Sequence, residues 1–271
     1  MSGLFPAEEA HAMADRLIEH FFNLTPAQRV LAGIEPVQDS ARIKVESAVA
    51  ELMKNVPLQY VIGKAWFMDM EFDVNRSVLI PRPETEEMVS LILKDLANRA
   101  VQPMRILDVG TGSGCIAVSI KKNSPESELL AIDISQEALQ VAKANATKNN
   151  VDVTFLRIDI LDTESWSDLP EFDLIVSNPP YVTESEKKLM LPNVLDYEPH
   201  NALFVADEDP LVFYQAIMLF AKSKLRKKGH LWFEINEKFG LQMKELAFYQ
   251  GFREANIIFD FRIKSRFLHC F

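Results

Sequence analysis

Two short runs of this 271-residue chain have the composition of a reaction site. One is Asn178-Pro179-Pro180-Tyr181, which directly follows the largely apolar run from Phe172 to Ser177. The asparagine side-chain oxygen and the carbonyl after it can accept the two N–H bonds of a planar amide or amino group. An amide nitrogen is a poor nucleophile because its lone pair is delocalised, so a site that alkylates it must hold that lone pair in line with the incoming carbon. Pro179 and Pro180 stiffen such a loop, and Tyr181 can stack on a flat substrate group and exclude water. No ionisable base is needed before transfer, because the alkylated nitrogen sheds its proton afterwards. Asn178, Pro179 and Tyr181 are thus the expected catalytic residues, and Pro180 joins them as a substrate contact.

The other run, Arg105 to Ile120, passes from an apolar strand through Gly110, Thr111, Gly112, Ser113 and Gly114 into a helical pattern. Glycines let a backbone turn sharply and approach a ligand closely. Such a turn alone also fits many nucleotide folds, or no ligand at all. Asp133 adds to it: the next strand ends in this carboxylate roughly 20 residues on, where it can accept both hydroxyls of a ribose. A dinucleotide would need a pyrophosphate cradle, whereas Asp108, just before the turn, suits a cationic sulfonium. The adenosine cofactor expected is therefore S-adenosylmethionine, with Asn178 beside it. Asp159, after the third strand, is a candidate for the adenine amino group and equally a capping aspartate. Cys115 and Cys270 lie far apart with no second pair, so neither a metal site nor a disulfide framework is expected.

These runs need a scaffold. From about residue 84, short apolar strands alternate with helical stretches, the pattern of a mainly parallel sheet covered on both faces. The strands expected are Arg105–Val109, Leu129–Ile134, Val153–Ile158, Asp173–Val176 and His230–Ile235, then an antiparallel pair around Ile257–Phe261 and Arg266–Phe271. The fold class is α/β, a Rossmann-like arrangement of seven strands with an antiparallel last strand and a small N-terminal helical domain. In that domain Met13, Leu17, Ile18, Phe21 and Phe22 recur at helical spacing. Thr25-Pro26-Ala27-Gln28 forms a capping box for a second helix, and Val45, Val49, Leu52 and Met53 suggest a third. Pro57 is expected to end the helical pattern, and Met68, Met70, Phe72 and Val74 alternate with acidic residues as in a half-buried strand. The divisions expected are residues 1–56, helical; 57–83, a β-hairpin linker; and 84–271, the catalytic domain.

Apolar residues make up 48% and charged residues 25% of the chain, enough to bury a core. The net charge of −10 would repel a polyanion, so stable nucleic-acid binding is not expected. The acidic N-terminal stretch lacks a basic leader and any long apolar run, so membrane insertion is not expected and a cytoplasmic setting is. The basic stretch Lys222 to Lys228 reads as a solvated helix end.

Taken together, the glycine turn, Asn178 to Tyr181, Pro57-Leu58-Gln59-Tyr60, Gly63, the run Leu79-Ile80-Pro81-Arg82-Pro83-Glu84-Thr85-Glu86 and Tyr197-Glu198-Pro199 with Ala202-Leu203 closely resemble the release-factor glutamine methyltransferases over nearly the whole chain. The resemblance implies S-adenosylmethionine held by Gly110 to Gly114, Asp133 and Asn178. It also implies methylation of the glutamine in the Gly-Gly-Gln loop of class I peptide-chain release factors, gripped in part by the N-terminal domain. Asn-Pro-Pro-Tyr is shared with methyltransferases acting on DNA adenine and RNA guanine, which leaves a nucleic-acid amino group as the alternative substrate; a non-catalytic cofactor-binding module is the other alternative. Two departures stand out: the segment Asp260 to Arg266 lacks the glycine common there, and Ile160 stands where some relatives carry an aromatic beside the adenine. Arg82 and Glu84 fit either a substrate contact or an internal ion pair.

Overall fold

The computed structural model describes residues 5–25, 27–28, 38–98 and 103–271. It divides into two compact units, one formed by Met1–Lys64 with Leu191–Tyr197, the other by Ala65–Met190 with Glu198–Phe271.

In the first unit, α1 (Ala7–Phe22), α2 (Asp39–Leu52) and α3 (Leu58–Ile62) pack around Leu17, Ala48 and Leu52. Met13, Phe21 and Val49 lean on that core, as their spacing predicts. The reciprocal bonds of the capping box are present: Thr25 N donates to Gln28 Oε1 at 2.9 Å, and Gln28 N to Thr25 Oγ1 at 3.3 Å. Pro26 and the continuation of that helix lie outside the described residues. Met53 caps α2 rather than packing, and is exposed. Pro57 does not end the helical structure. Asn55 at φ +66° has already turned the chain, and Pro57 stands at the N-cap of α3.

In the expected alternating strand at Met68 to Val74, the first two residues form a turn instead. β1 (Lys64–Phe67) and β2 (Met70–Asp73) pair as a two-stranded sheet, and the intervening Met68 and Asp69 both have positive φ, +50° and +59°. Two consecutive positive φ angles are what a two-residue hairpin turn demands, a conformation foreign to methionine. Glu86 accepts the Met68 N–H and holds it there.

The main sheet contains β3 (Arg105–Val109), β4 (Glu128–Asp133), β5 (Thr154–Arg157), β6 (Phe172–Ser177), β9 (Leu225–Glu234), β10 (Ala255–Phe259) and β11 (Ser265–Cys270), in the order β10-β11-β9-β6-β3-β4-β5. A short parallel pair, β7 (Val182–Thr183) and β8 (Phe204–Val205), lies outside it. Neighbours from β9 to β5 are parallel, and β11 is antiparallel to both β9 and β10. The last strand is thus inserted beside β9, and β10 forms the edge.

Because side chains alternate along a strand, β3 sends Ile106 to one face and Leu107 and Val109 to the other. On the first face Ile106 meets α4 (Pro83–Ala97), α5 (Cys115–Asn123) and the hairpin residues Phe67 and Phe72. On the second, Leu107 joins α8 (Val212–Lys224) and α9 (Gly240–Gln250); between the faces in sequence come α6 (Gln136–Lys148) and the short α7 (Pro192–Leu195). The basic stretch splits: α8 ends at Lys224, β9 begins at Leu225, and Arg226 pairs with Asp173 at 2.8 Å. Cys115 and Cys270 are core residues, and burial pushes both thiols up to about 12.

The β10–β11 tip shows how the chain manages without its expected glycine. Ile263 adopts φ +61°, and buried Asp260 accepts from the N–H groups of Arg262 and Lys264, each at 2.9 Å, which clamps the turn. Arg266 Nε adds a third bond to Asp260 at 3.2 Å. At the opposite end of β9 and β11, His230 Nδ1 and His269 Nε2 lie 2.6 Å apart, with Asp95 at 3.6 Å from His230. Two nitrogens on one tetrahedral zinc would stand about 3.3 Å apart, so this contact is a ring-to-ring hydrogen bond. Among the described residues no helix is long and apolar enough to cross a membrane.

Candidate active site

The strand order reverses between β3 and β6, so their carboxyl ends open a crevice, the place where ligands bind in open α/β sheets. Both sequence-predicted runs leave the sheet there. After β3, Gly110 N and Thr111 N donate to the Ile132 carbonyl at 2.9 and 3.0 Å, which pins the turn to β4. A Cβ built on Gly110 or Gly112 would meet nothing within 4 Å, so the loop presents bare backbone to open space. Gly114 differs: at φ +80° its Cβ would stand 3.0 Å from the Cβ of Ala142. It is a packing glycine where α5 begins against α6.

Gly110, Thr111, Gly112, Ser113, Asp133 and Asp159 line one cavity of about 300 Å³. Asn178, Pro179 and Pro180 line the same cavity, as does Ile160. Of the residues expected at the site, Gly114 and Tyr181 do not line it. Asp133 is held by two backbone donors, Gly112 N on Oδ2 and Ser135 N on Oδ1, each at 2.9 Å. Burial raises its pKa, and those donors oppose the shift. Each oxygen keeps a further lone pair for a ligand hydroxyl. Asp159 Oδ1 accepts from Leu161 N at 2.9 Å, a local turn with no helix after it to cap, at a residue that also lines the cavity.

Asp108 sits behind the turn, wholly buried. Its Oδ2 accepts from Thr111 Oγ1 at 2.6 Å, while Oδ1 is buried without a hydrogen-bond partner. Burial raises its carboxyl to about 7, against the Thr111 and Ala117 bonds that favour the anion. Because the folded value lies above the unfolded one, the native state holds a proton that the unfolded chain has released. Stability is therefore lost between about pH 4 and pH 7 and is level above, by an amount on the order of 4 kcal/mol from this group. In thermal melts from pH 4 to pH 8, Asp108→Asn is expected to flatten that fall; an unchanged slope would show that Asp108 does not carry it.

Asn178, Thr85, Glu234 and Tyr181 form a chain of contacts that sequence reasoning did not assemble. Asn178 Nδ2 donates to Thr85 Oγ1 at 3.1 Å, Thr85 Oγ1 to Glu234 Oε2 at 2.6 Å, and the Tyr181 hydroxyl to Glu234 Oε1 at 2.9 Å. Tyr181, half-buried, leans on the core and its hydroxyl donates to a buried carboxylate. Burial raises its hydroxyl pKa well above the ordinary value, with the Glu234 charge adding to the shift. Its backbone is tied as well, N–H to Leu203 O at 3.2 Å and carbonyl to Asn236 Nδ2 at 3.1 Å, which fixes the turn after β6. A signal for Glu234 was present: like Asp108 and Asp133, it is an acid at the end of an apolar strand.

Arg82 also resolves. Its guanidinium pairs with Glu198, which is 3% exposed and takes a second bond from Ile80 N at 3.2 Å. Glu84 faces Arg262 at 3.7 Å. The cavity rim contributed by Arg82 is therefore braced internally.

A sheet with this strand order and an inserted antiparallel last strand, its glycine turn and Asn178 meeting at the β3–β6 crevice, places the chain among the Rossmann-like S-adenosylmethionine-dependent methyltransferases. Residues 86–203 match the methyltransferase small domain family, and residues 4–63 the PrmC N-terminal domain family. The chain is 41% identical over 258 residues to the release factor glutamine methyltransferase of Flavobacterium psychrophilum, covering 95% of this chain and 90% of that one. To the enzyme of the same name from Bacteroides thetaiotaomicron it is 40% identical over 269 residues, covering 99% and 95%. The chain belongs to the release factor glutamine methyltransferase family. A methyltransferase structure from Pyrococcus furiosus shares the fold, with a TM-score of 0.56 at 17% identity over 83% of this chain and 98% of that one.

Proposed function

We propose that this chain methylates the side-chain amide nitrogen of the glutamine in the Gly-Gly-Gln motif of class I peptide-chain release factors, using S-adenosylmethionine. The observation that carries this reading is the single cavity shared by the glycine turn, Asp133 and Asn178-Pro179-Pro180. The residues present fit the cofactor: bare backbone at Gly110 and Gly112 admits a close ligand, and the Asp133 carboxylate has lone pairs left for ribose hydroxyls. Asp159 and Ile160 would flank the adenine, with Thr111 and Ser113 completing the turn. When bound, the cofactor supplies a methyl carbon made electrophilic by its sulfonium, which passes to the nitrogen as the sulfur–carbon bond breaks.

The protein's part is orientation. Asn178 Oδ1 and the carbonyl after it accept the two amide N–H bonds and aim the nitrogen lone pair. Pro179 and Pro180 restrict the loop's movement, Tyr181 anchors it from behind, and the product loses its extra proton to water. On this reading residues 1–56 recognise the release factor, residues 57–83 link the two parts, and residues 84–271 hold the chemistry. A cytoplasmic setting follows from the substrate, and the charge of −10 disfavours a stable nucleic-acid partner.

The test is to offer methyl-labelled S-adenosylmethionine with purified release factor and, separately, mixed nucleic acids. Label confined to the Gly-Gly-Gln peptide in mass spectra is expected. Label in nucleic acid alone would overturn the reading.

A further inference from the structure

We infer that Glu234 is a positioning residue: through the Thr85 hydroxyl it fixes which edge of the Asn178 amide faces the cavity, and thereby selects an amide over a carboxylate. The inference rests on the glutamine reading above.

A carboxylate can only accept hydrogen bonds, and a hydroxyl has one proton to give. Glu234, 1% exposed at the end of β9, receives the Thr85 proton at 2.6 Å and the Tyr181 proton at 2.9 Å. Burial raises the pKa of this carboxyl, while the two hydroxyl donors and the Arg266 charge favour its anion. With its proton committed to Glu234, the Thr85 oxygen can only accept from Asn178, at 3.1 Å. Asn178 must therefore turn Nδ2 to Thr85 and present Oδ1 on the opposite edge. An acceptor edge receives a glutamine NH₂ and repels a carboxylate. A reversed Asn178 would present N–H donors, which suit a glutamate and clash with an amide nitrogen.

Replacing Glu234 by glutamine keeps the shape but converts one of its two acceptors into a donor, and Thr85→Val removes the link outright. Thr85→Ser keeps the hydroxyl. The measurement is the affinity of each full-length enzyme, with no cofactor added, for purified release factor carrying Gly-Gly-Gln or Gly-Gly-Glu. The wild-type protein and Thr85→Ser are expected to prefer the glutamine form by about 10-fold or more, the scale of one buried hydrogen-bond mismatch. Thr85→Val and Glu234→Gln are expected to lose that preference to within about 3-fold, with kcat falling more than KM rises.

A preference retained by Thr85→Val overturns the inference alone. Should Glu234→Gln fail to fold, the valine and serine variants at Thr85 still decide it. A wild-type enzyme that shows no preference overturns the glutamine reading and the inference with it.

Discussion

Asn178→Ala is expected to transfer methyl groups on the order of 10²- to 10³-fold more slowly than the natural enzyme, the size of effect seen when one preorganised polar contact to a reacting group is deleted. The loss arises because the amide nitrogen is a weak nucleophile: its N–H bonds must be held for the lone pair to point at the methyl carbon. Cofactor affinity is expected to change less, since the glycine turn and the Asp133 carboxylate, fixed by their own backbone bonds, line the same cavity and stay in place without the Asn178 side chain. Asn178→Asp should fare no better despite its matching shape. Its carboxylate would set an acceptor 3.1 Å from a Thr85 oxygen whose proton already serves Glu234. Single-turnover rates, with cofactor binding measured by dialysis, separate the two effects. Full-speed transfer by the alanine variant would remove Asn178 from the chemistry.

The parts of this site that the sequence displayed are those built from one strand and the turn after it. Ile106 and Leu107, or Leu174 to Val176, are buried on both faces of a parallel sheet, so each strand is a continuous apolar run. The glycine turn and Asn178 follow such runs directly, and their place at the carboxyl ends of β3 and β6 comes from the topology. What stayed hidden joins distant segments. Thr85 and Glu234 are separated by 149 residues, and Arg82 and Glu198 by 116. No local period encodes such a contact, so the sequence around Arg82 admits a substrate contact as well as an ion pair. The same cause hid the turn at Met68, where a long-range bond from Glu86 overrides a locally strand-like pattern. The bond from the Tyr181 hydroxyl to Glu234 is of the same kind, joining residues 53 apart that no local pattern links.

Gly114 and Gly112 should respond to the same substitution in different ways, although they are two residues apart in one turn. Both have positive φ, +80° and +53°, so an alanine at either costs about 1–2 kcal/mol in backbone strain. At Gly112 the new methyl meets nothing within 4 Å and enters the space facing the cavity, so its main effect should be on cofactor binding. At Gly114 the methyl meets the Ala142 Cβ at 3.0 Å and the Ala142 Cα at 3.2 Å, the second a backbone atom that cannot move without shifting α6. Overpacking adds about 1–3 kcal/mol, for a total of roughly 2–5 kcal/mol against a typical stability of about 5–15 kcal/mol. At roughly 2–4 °C per kcal/mol for a domain of this size, Gly114→Ala should melt about 4–20 °C below the natural protein, and Gly112→Ala considerably less. Because α6 also carries Asn145, which bonds the Ser113 carbonyl at 2.9 Å, a displaced α6 pulls the turn away from the cavity as well. A Gly114→Ala protein that melts with the natural one would mean that the α5–α6 contact is looser than these distances require.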